Sequence, residues 1–131
     1  MERRIVNPWT WQDQFGYVQA NELSGMNRVL VCAGQTSVDT DGQPLHEGDM
    51  VAQVGQALDN LETVLGEAGF ALADVVRMNF FVTHVDAFIQ AGPAWGARLA
   101  QAGCRPASTL LGIARLAFPP LLVEIEATAA K

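Results

Sequence analysis

The chain has 131 residues, half of them hydrophobic, and carries a formal net charge of -6. That length argues for one domain with a core of useful size. The acidic balance argues against nucleic acid as a partner, because phosphate binding needs clustered cations and the arginines here are scattered. No apolar run approaches the roughly 20 residues needed to span a bilayer, so no membrane partner is expected.

The first residues, "MERRIVNPWTW", have two arginines but no apolar core and no small-residue cleavage site. A signal peptide is not expected, and a cytoplasmic location follows as the default. "FGYVQANEL" (Phe15–Leu23) alternates in part and predicts a strand, closed by a turn at "SGMN". "RVLVCAG" (Arg28–Gly34) is a continuous apolar run and predicts a buried strand. An Asp-Gly turn signal follows in "DTDGQPLHEGD".

The period then changes. Val51, Val54, Leu58, Leu61 and Leu65 recur at three and four, Asp49 suits an N-cap and Gly69 a C′ glycine, which predicts an amphipathic helix over residues 50–68. "DVVRMNFFVT" (Asp74–Thr83) predicts the next strand. "VDAFIQAG" suits a short helical turn, and Pro93 suits the first position of a helix over "PAWGARLAQA", ended by Gly103. Two C-terminal strands follow, with Pro119 and Pro120 between them. The order predicts an α+β two-layer domain over residues 1–131: one mixed sheet with both helices on one face. The strands carry large residues at both parities, so the uncovered face is expected to drive self-association.

Two cysteines, Cys32 and Cys104, lie far apart and show no zinc spacing. They are read as small buried residues, neither metal ligands nor a disulfide. His46 and His84 are isolated, and no metal site is expected. Two acidic residues stand out: Glu124 interrupts an apolar strand, and Glu126 shares its parity. A carboxylate there costs several kcal/mol to bury unless it is paired or hydrogen-bonded.

Several segments together carry a family resemblance: "GYVQA", "VCAGQTSVD" with its "DG" turn, "DMVAQVGQALDNLETVLGEAGFALADVVRMNFFVTHVDAF" and "RPASTLLGIARLAFPPLLVEIEATA". They span nearly the whole chain, which resembles the RidA/YjgF family. The resemblance implies a chorismate-mutase-like fold with a six-stranded mixed sheet. It also implies a homotrimer and a small-molecule cleft between subunits. The best-known members hydrolyse enamine and imine intermediates made by pyridoxal-phosphate enzymes, giving a 2-oxo acid and ammonia, with no metal or organic cofactor.

Carried over position by position, the resemblance is incomplete. Glu124 falls on the glutamate that holds or activates water, although an inter-subunit structural partnership with Arg115 or a backbone amide is the alternative. Tyr17 falls on the site tyrosine, without the proline that usually precedes it. Gly34 falls on the glycine whose backbone faces the ligand. The family's carboxylate-binding arginine, in a Pro-Ala-Arg-Ser segment, is replaced by Ser108. A hydroxyl is a weaker anion clamp than a guanidinium. Arg105 stands three residues earlier and is the candidate substitute, although an odd offset on a strand points it to the opposite face. Gly92 replaces an asparagine and Leu110 a cysteine, and Thr109 adds a second hydroxyl. Arg115, in "ARL", is read as structural.

The expected function is a hydrolase or deaminase acting on an imine, an enamine or a related metabolite other than a simple 2-imino acid. A non-catalytic metabolite-binding trimer is the alternative. An endoribonuclease or translation inhibitor is a third reading, opposed by the acidic charge. Trp9 and Trp11 are left to cover a cleft mouth or pack at a subunit edge, and Trp95 to pack in the core.

Overall fold

The long helix begins where Asp49 caps it. Its side chain accepts from the Ala52 N–H at 3.0 Å. The helix, α1 (Met50–Glu67), ends in a Schellman turn: Phe70 N–H bonds Leu65 O at 2.8 Å and Gly69 N–H bonds Gly66 O at 3.0 Å. Gly69 adopts the left-handed φ of 76° that this closure needs. The computed structural model describes residues 1–131.

Around α1 the order is β1 (Glu2–Val6), a 3-10 turn (Trp11–Phe15), β2 (Ala20–Ser24), β3 (Val29–Val31) and β4 (Gln35–Thr36) ahead of the helix. After it come β5 (Val75–Val82), α2 (Val85–Gln90), α3 (Gly92–Gln101), β6 (Ala107–Gly112) and β7 (Val123–Ala130). The main sheet is mixed, with β7 and β5 central and antiparallel, and β6 parallel to β5 on one edge. β3 and β4 both pair with the other side of β7. Met78, Phe80, Val82, Val123 and Ile125 point to the helical side and are buried against Val54, Leu58, Leu61, Phe88 and Leu99. The helices therefore cover one face, as expected for the α+β class. Trp95 packs there too, stacked on Phe88 at 4.7 Å.

Three expectations are corrected. The main sheet has five strands, not six, because the N-terminal strands form a separate antiparallel ribbon, β1–β2. The ribbon meets the sheet through a single bridge, Val18 to Ala107. Arg3 and Asn21 fasten it by donating to carbonyls at the start of β5, Asn21 Nδ2 to Val76 O at 2.9 Å and Arg3 to Val75 O at 3.4 Å. The strand predicted over Phe15–Leu23 starts only at Ala20, since Gly16 takes a left-handed φ of 77° and ends the 3-10 turn.

The strand predicted over Arg28–Gly34 breaks after Val31. Val31 pairs with Thr128 but Gln35 pairs with Ile125, a one-residue slip in register at Cys32–Gly34. Such a bulge re-aims the chain locally. In the sheet, β5 lies between the two C-terminal strands, β6 and β7.

The uncovered face is also more polar than the run of strand residues suggested. Val31 and Leu111 are exposed there, at 77% and 49%. Beside them, however, stand Arg77, Asn79, Thr109, Glu124, Glu126 and Thr128, set on that face by their pairing across β6, β5 and β7.

Candidate functional site

Glu124 lies between Thr36 of β4 and Phe81 of β5, on the sheet face away from the helices. It is half-buried. Its carboxylate makes no ion pair and no hydrogen bond within the chain: the ion pairs join Arg4 to Glu22 and Arg98 to Asp59 and Glu62. Arg115 instead bonds the carbonyls of Leu116 and Ala117 in its own loop, at 3.2 and 3.3 Å. Within one chain, Arg115 therefore does not pair with Glu124. An ionised carboxylate with free lone pairs can accept from water or from a substrate N–H or O–H.

Two anchors fix the backbone on which Glu124 sits. Gln53 is fully buried on α1 and clasps the loop leading into β7. Its Nε2 donates to Pro120 O at 2.9 Å and His46 O at 3.2 Å, and its Oε1 accepts from Leu122 N–H at 2.8 Å. Asn60, about two turns further along the same face of α1, donates to Thr36 O and Val38 O at 2.9 and 3.0 Å and so holds the short β4 beside Glu124. Gly34 sits in the bulge. A Cβ built there would lie 1.9 Å from Glu124 Oε1. Gly34 and Glu124 are thus in direct contact.

The other candidates lie elsewhere. Ser108 on β6 pairs laterally with Met78, which is fully buried under the helices, so Ser108 points to the helical side. Glu124 pairs with Phe81, itself level with Leu111, three residues along β6 from Ser108. Two strand widths and about 10 Å along the strand separate them, on opposite faces. Tyr17 flanks the beginning of β6, since Val18 N–H bonds Pro106 O at 3.0 Å. Its ring meets Trp11 edge-to-face at 6.3 Å. Trp9, Trp11 and Phe15, from the segment ahead of Tyr17, are all exposed.

Arg105 precedes β6 and its side chain is exposed. Its carbonyl accepts from Arg3 and from Asn21. Six residues separate it from the level of Glu124, about 20 Å along the strand. Within one chain, then, the candidates form two groups: Tyr17, Arg105 and Ser108 at the β6 edge, and Gly34 with Glu124 at the β4–β7 side. Leu110 shares the parity of Ser108, and Thr109 takes the opposite face, where it accepts from Arg77 at 2.8 Å. Gly92 opens α3.

The two cysteines are free and buried. Burial pushes the Cys104 thiol up to about 12, and the nearby Arg3 offsets only part of that. No cluster of His, Cys, Asp and Glu is arranged to hold a metal ion.

The residues that sequence reasoning missed are Arg77 and Asn79. They lie on the face of Glu124 and Glu126, and Asn79 Nδ2 donates to Glu126 Oε1 at 3.0 Å. The signal was present in the alternation of "VVRMNFFV", where polar Arg77 and Asn79 interleave with buried Met78 and Phe80.

Comparison with known proteins fits this architecture. The family model described as Endoribonuclease L-PSP matches residues 12–131. The chain belongs to the RidA/YjgF family. It is similar to the Rid-family protein YyfB of Yersinia pestis, of unknown function, with 37% identity, full coverage of both chains and a TM-score of 0.88. It is also similar to a YjgF-family protein of Mycobacterium tuberculosis, with 30% identity, 99% and 100% coverage and a TM-score of 0.66. A 2-iminobutanoate/2-iminopropanoate deaminase of Salmonella typhimurium is 29% identical over 88% of this chain and 87% of its own. No helix of this RidA/YjgF-family protein is long and apolar enough to cross a membrane.

Proposed function

We propose that the protein is a hydrolase of the imine and enamine deaminase type, working as a homotrimer with its site in a cleft between two copies. The observation that carries this reading is the split of the candidate residues. Gly34 and Glu124 are in contact on one side of the sheet, while Tyr17 and Ser108 stand at the opposite edge. One chain cannot close a pocket around both groups, whereas two copies placed edge to face can.

In that cleft Glu124 would accept a proton from a bound water as the oxygen adds to the C=N carbon. That proton passes to nitrogen to give a carbinolamine; the hydroxyl proton is then relayed through Glu124 to nitrogen as the C–N bond breaks, and a carbonyl compound and ammonia leave. The resembled chemistry calls for no metal or cofactor. Tyr17 offers a ring face and a phenolic hydrogen bond, and Gly34 lets the backbone approach. With Ser108 where the carboxylate-binding arginine is expected, the substrate is neutral or cationic near that position rather than a simple 2-imino acid. The same substitution supports a second reading, a metabolite-binding trimer without turnover, because positioning contributes much of a rate enhancement.

A coupled assay tests this. Neutral imines generated by an amine oxidase and 2-imino acids generated by an amino-acid oxidase are each trapped with semicarbazide, and wild type is compared with Glu124→Gln and Arg105→Ala. Accelerated hydrolysis of neutral or cationic imines, lost in Glu124→Gln, supports the hydrolase. Fast turnover of 2-iminopropanoate that depends on Arg105 would show that Arg105 supplies the missing clamp and would overturn the substrate assignment. No hydrolysis of any imine by an intact trimer favours the binding protein.

A further inference from the structure

Val6 pairs with Ala20, so residues 7–19 form one long connection between β1 and β2. A hairpin needs far fewer residues, and ordered connections of this length are usually functional. The loop is fastened across its own neck. Gln19 N–H bonds Asn7 Oδ1 at 2.8 Å, and Gln19 Nε2 bonds Gln12 Oε1 at 3.2 Å. Gln14 Nε2 donates to Trp11 O at 3.1 Å, and Gly16 N–H closes the 3-10 turn on Asp13 O at 3.1 Å. Gln12 is fully buried, whereas its neighbour Trp11 is 56% exposed. The fold thus uses a buried polar side chain to fix a turn that holds a large apolar ring in water, forgoing the stabilisation of its burial.

That ring meets Tyr17 at an interplanar angle of 78°, with centroids 6.3 Å apart. Two ring surfaces at nearly a right angle make a corner. A third flat ring can stack on one of them and meet the other edge-on. Tyr17 stands with Ser108 at the β6 edge, so the corner is continuous with the candidate site. A cation is also drawn to a tryptophan face, but exposed Arg105 lies at the same edge and repels it. A carboxylate finds Ser108 where its clamp is expected. A neutral aromatic ring meets neither objection.

We infer that Trp11 and Tyr17 form an aromatic subsite, and that the substrates are neutral imines carrying an aryl side chain. The inference rests on the hydrolase reading above and narrows its substrate. Water adds to the C=N carbon, ammonia leaves, and an aryl-bearing aldehyde or ketone results. Such imines are the first products of amine oxidation, so an amine-oxidising reaction must supply them.

The full chain is assayed on neutral imines generated by an amine oxidase from 2-phenylethylamine and from isopentylamine. Wild type is compared with Trp11→Ala and Trp11→Phe. The ratio of kcat/KM, aryl over alkyl, is expected to be about fivefold or more in wild type, to fall toward one in Trp11→Ala through KM, and to recover in Trp11→Phe. A second arm needs no turnover: phenylacetamide and 3-methylbutanamide, stable neutral mimics, are titrated by calorimetry, with the same preference and the same loss expected. Hydrolysis that depends on Glu124 but treats aryl and alkyl imines alike, with the two amides bound alike, overturns the aromatic subsite and leaves the hydrolase reading standing. No hydrolysis, with phenylacetamide binding that depends on Trp11, overturns the hydrolase and leaves the subsite standing on a binding protein. Neither hydrolysis nor aryl-selective binding overturns both. A Trp11→Ala chain that loses oligomer mass with both preferences unchanged assigns Trp11 to a subunit edge and overturns the inference.

Discussion

The carboxylate of Glu124 fills the space that a side chain at position 34 would need: a Cβ on Gly34 would meet Oε1 at 1.9 Å, Cδ at 2.6 Å and Cγ at 2.8 Å. Gly34 is therefore not a simple strand-end glycine. Its φ is not left-handed, so conformational freedom is not what position 34 demands. The requirement is room, and the group that uses the room is the far end of a flexible side chain.

That relationship separates fold from function. Gly34→Ala can be accommodated if the Glu124 side chain rotates away, at a cost of about 1 kcal/mol for a strained or alternative rotamer. The expected result is a melting temperature within a few degrees of wild type, with hydrolysis or ligand binding reduced to the level of Glu124→Gln. Glu124→Gln itself should leave stability almost unchanged, since the carboxylate has no partner in the chain to lose. A general base contributes about 100-fold or more, and turnover should fall accordingly. Retained activity in Gly34→Ala would mean that the observed carboxylate position is not the working one.

Ser108→Arg is the complementary test. Ser108 is half-buried at the β6 edge, and Leu110 beside it on the same face is 38% exposed, so a longer side chain has a way out to the surface. An arginine there can grip a carboxylate with two parallel hydrogen bonds. The expected outcome is a gain of about tenfold or more in kcat/KM on a 2-imino acid, mostly through KM, with no gain on the corresponding neutral imine. Equal gains on both substrates would show that charge recognition is not the missing element.

How much of this was readable beforehand differs by element. The helix α1 was legible to within a residue or so because Val54, Leu58, Leu61 and Leu65 mark its buried face and Asp49 and Gly69 mark its ends. The ribbon β1–β2 was not. "ERRIV" has no apolar face of its own, and Arg3 and Asn21 reach carbonyls more than fifty residues away, a relationship that local periodicity does not carry. The break at Cys32–Gly34 was hidden for a similar reason, because it comes from the register with β7 and not from the apolar run itself. Glu124 was marked by its own oddity, a carboxylate in an apolar strand. The separation of Ser108 from Glu124 emerged only with the strand order, which puts β5 between β6 and β7.

Gln53 gives a stability prediction that also reaches the site. It satisfies two carbonyls and one N–H around the turn that delivers Leu122, two residues before Glu124. Gln53→Met keeps the volume but leaves Pro120 O and Leu122 N–H without these partners, while His46 O keeps the Asp49 N–H; each group that water cannot reach costs about 1–3 kcal/mol. Urea denaturation should show a loss of about 3 kcal/mol. Gln53→Glu should be worse near neutral pH, because it keeps an acceptor for Leu122 N–H but loses both donors and buries a charge. If Gln53→Glu were as stable as wild type at neutral pH, the clasp would not be contributing.

Cys104 supplies the pH dependence. Its thiol is buried, and burial raises its pKa from an ordinary 9.0 to about 12 despite the opposing effect of Arg3. Between those values the folded chain keeps a proton that the unfolded chain has lost. The stabilising contribution is therefore fully present below about pH 9 and is lost as the pH rises toward 12, by up to about 1.4 kcal/mol per pH unit. Cys104→Ala removes the titrating group and leaves a small cavity. It should be the less stable protein at pH 8, and its deficit should shrink between pH 9 and pH 11. Alkylation gives an independent readout: Cys104 should resist iodoacetamide at pH 8 in the folded protein and react at once in urea, because only the thiolate is a good nucleophile. Rapid alkylation of the folded chain at pH 8, or a stability gap that does not change with pH, would show that this thiol is more open than its position beneath Arg3 implies.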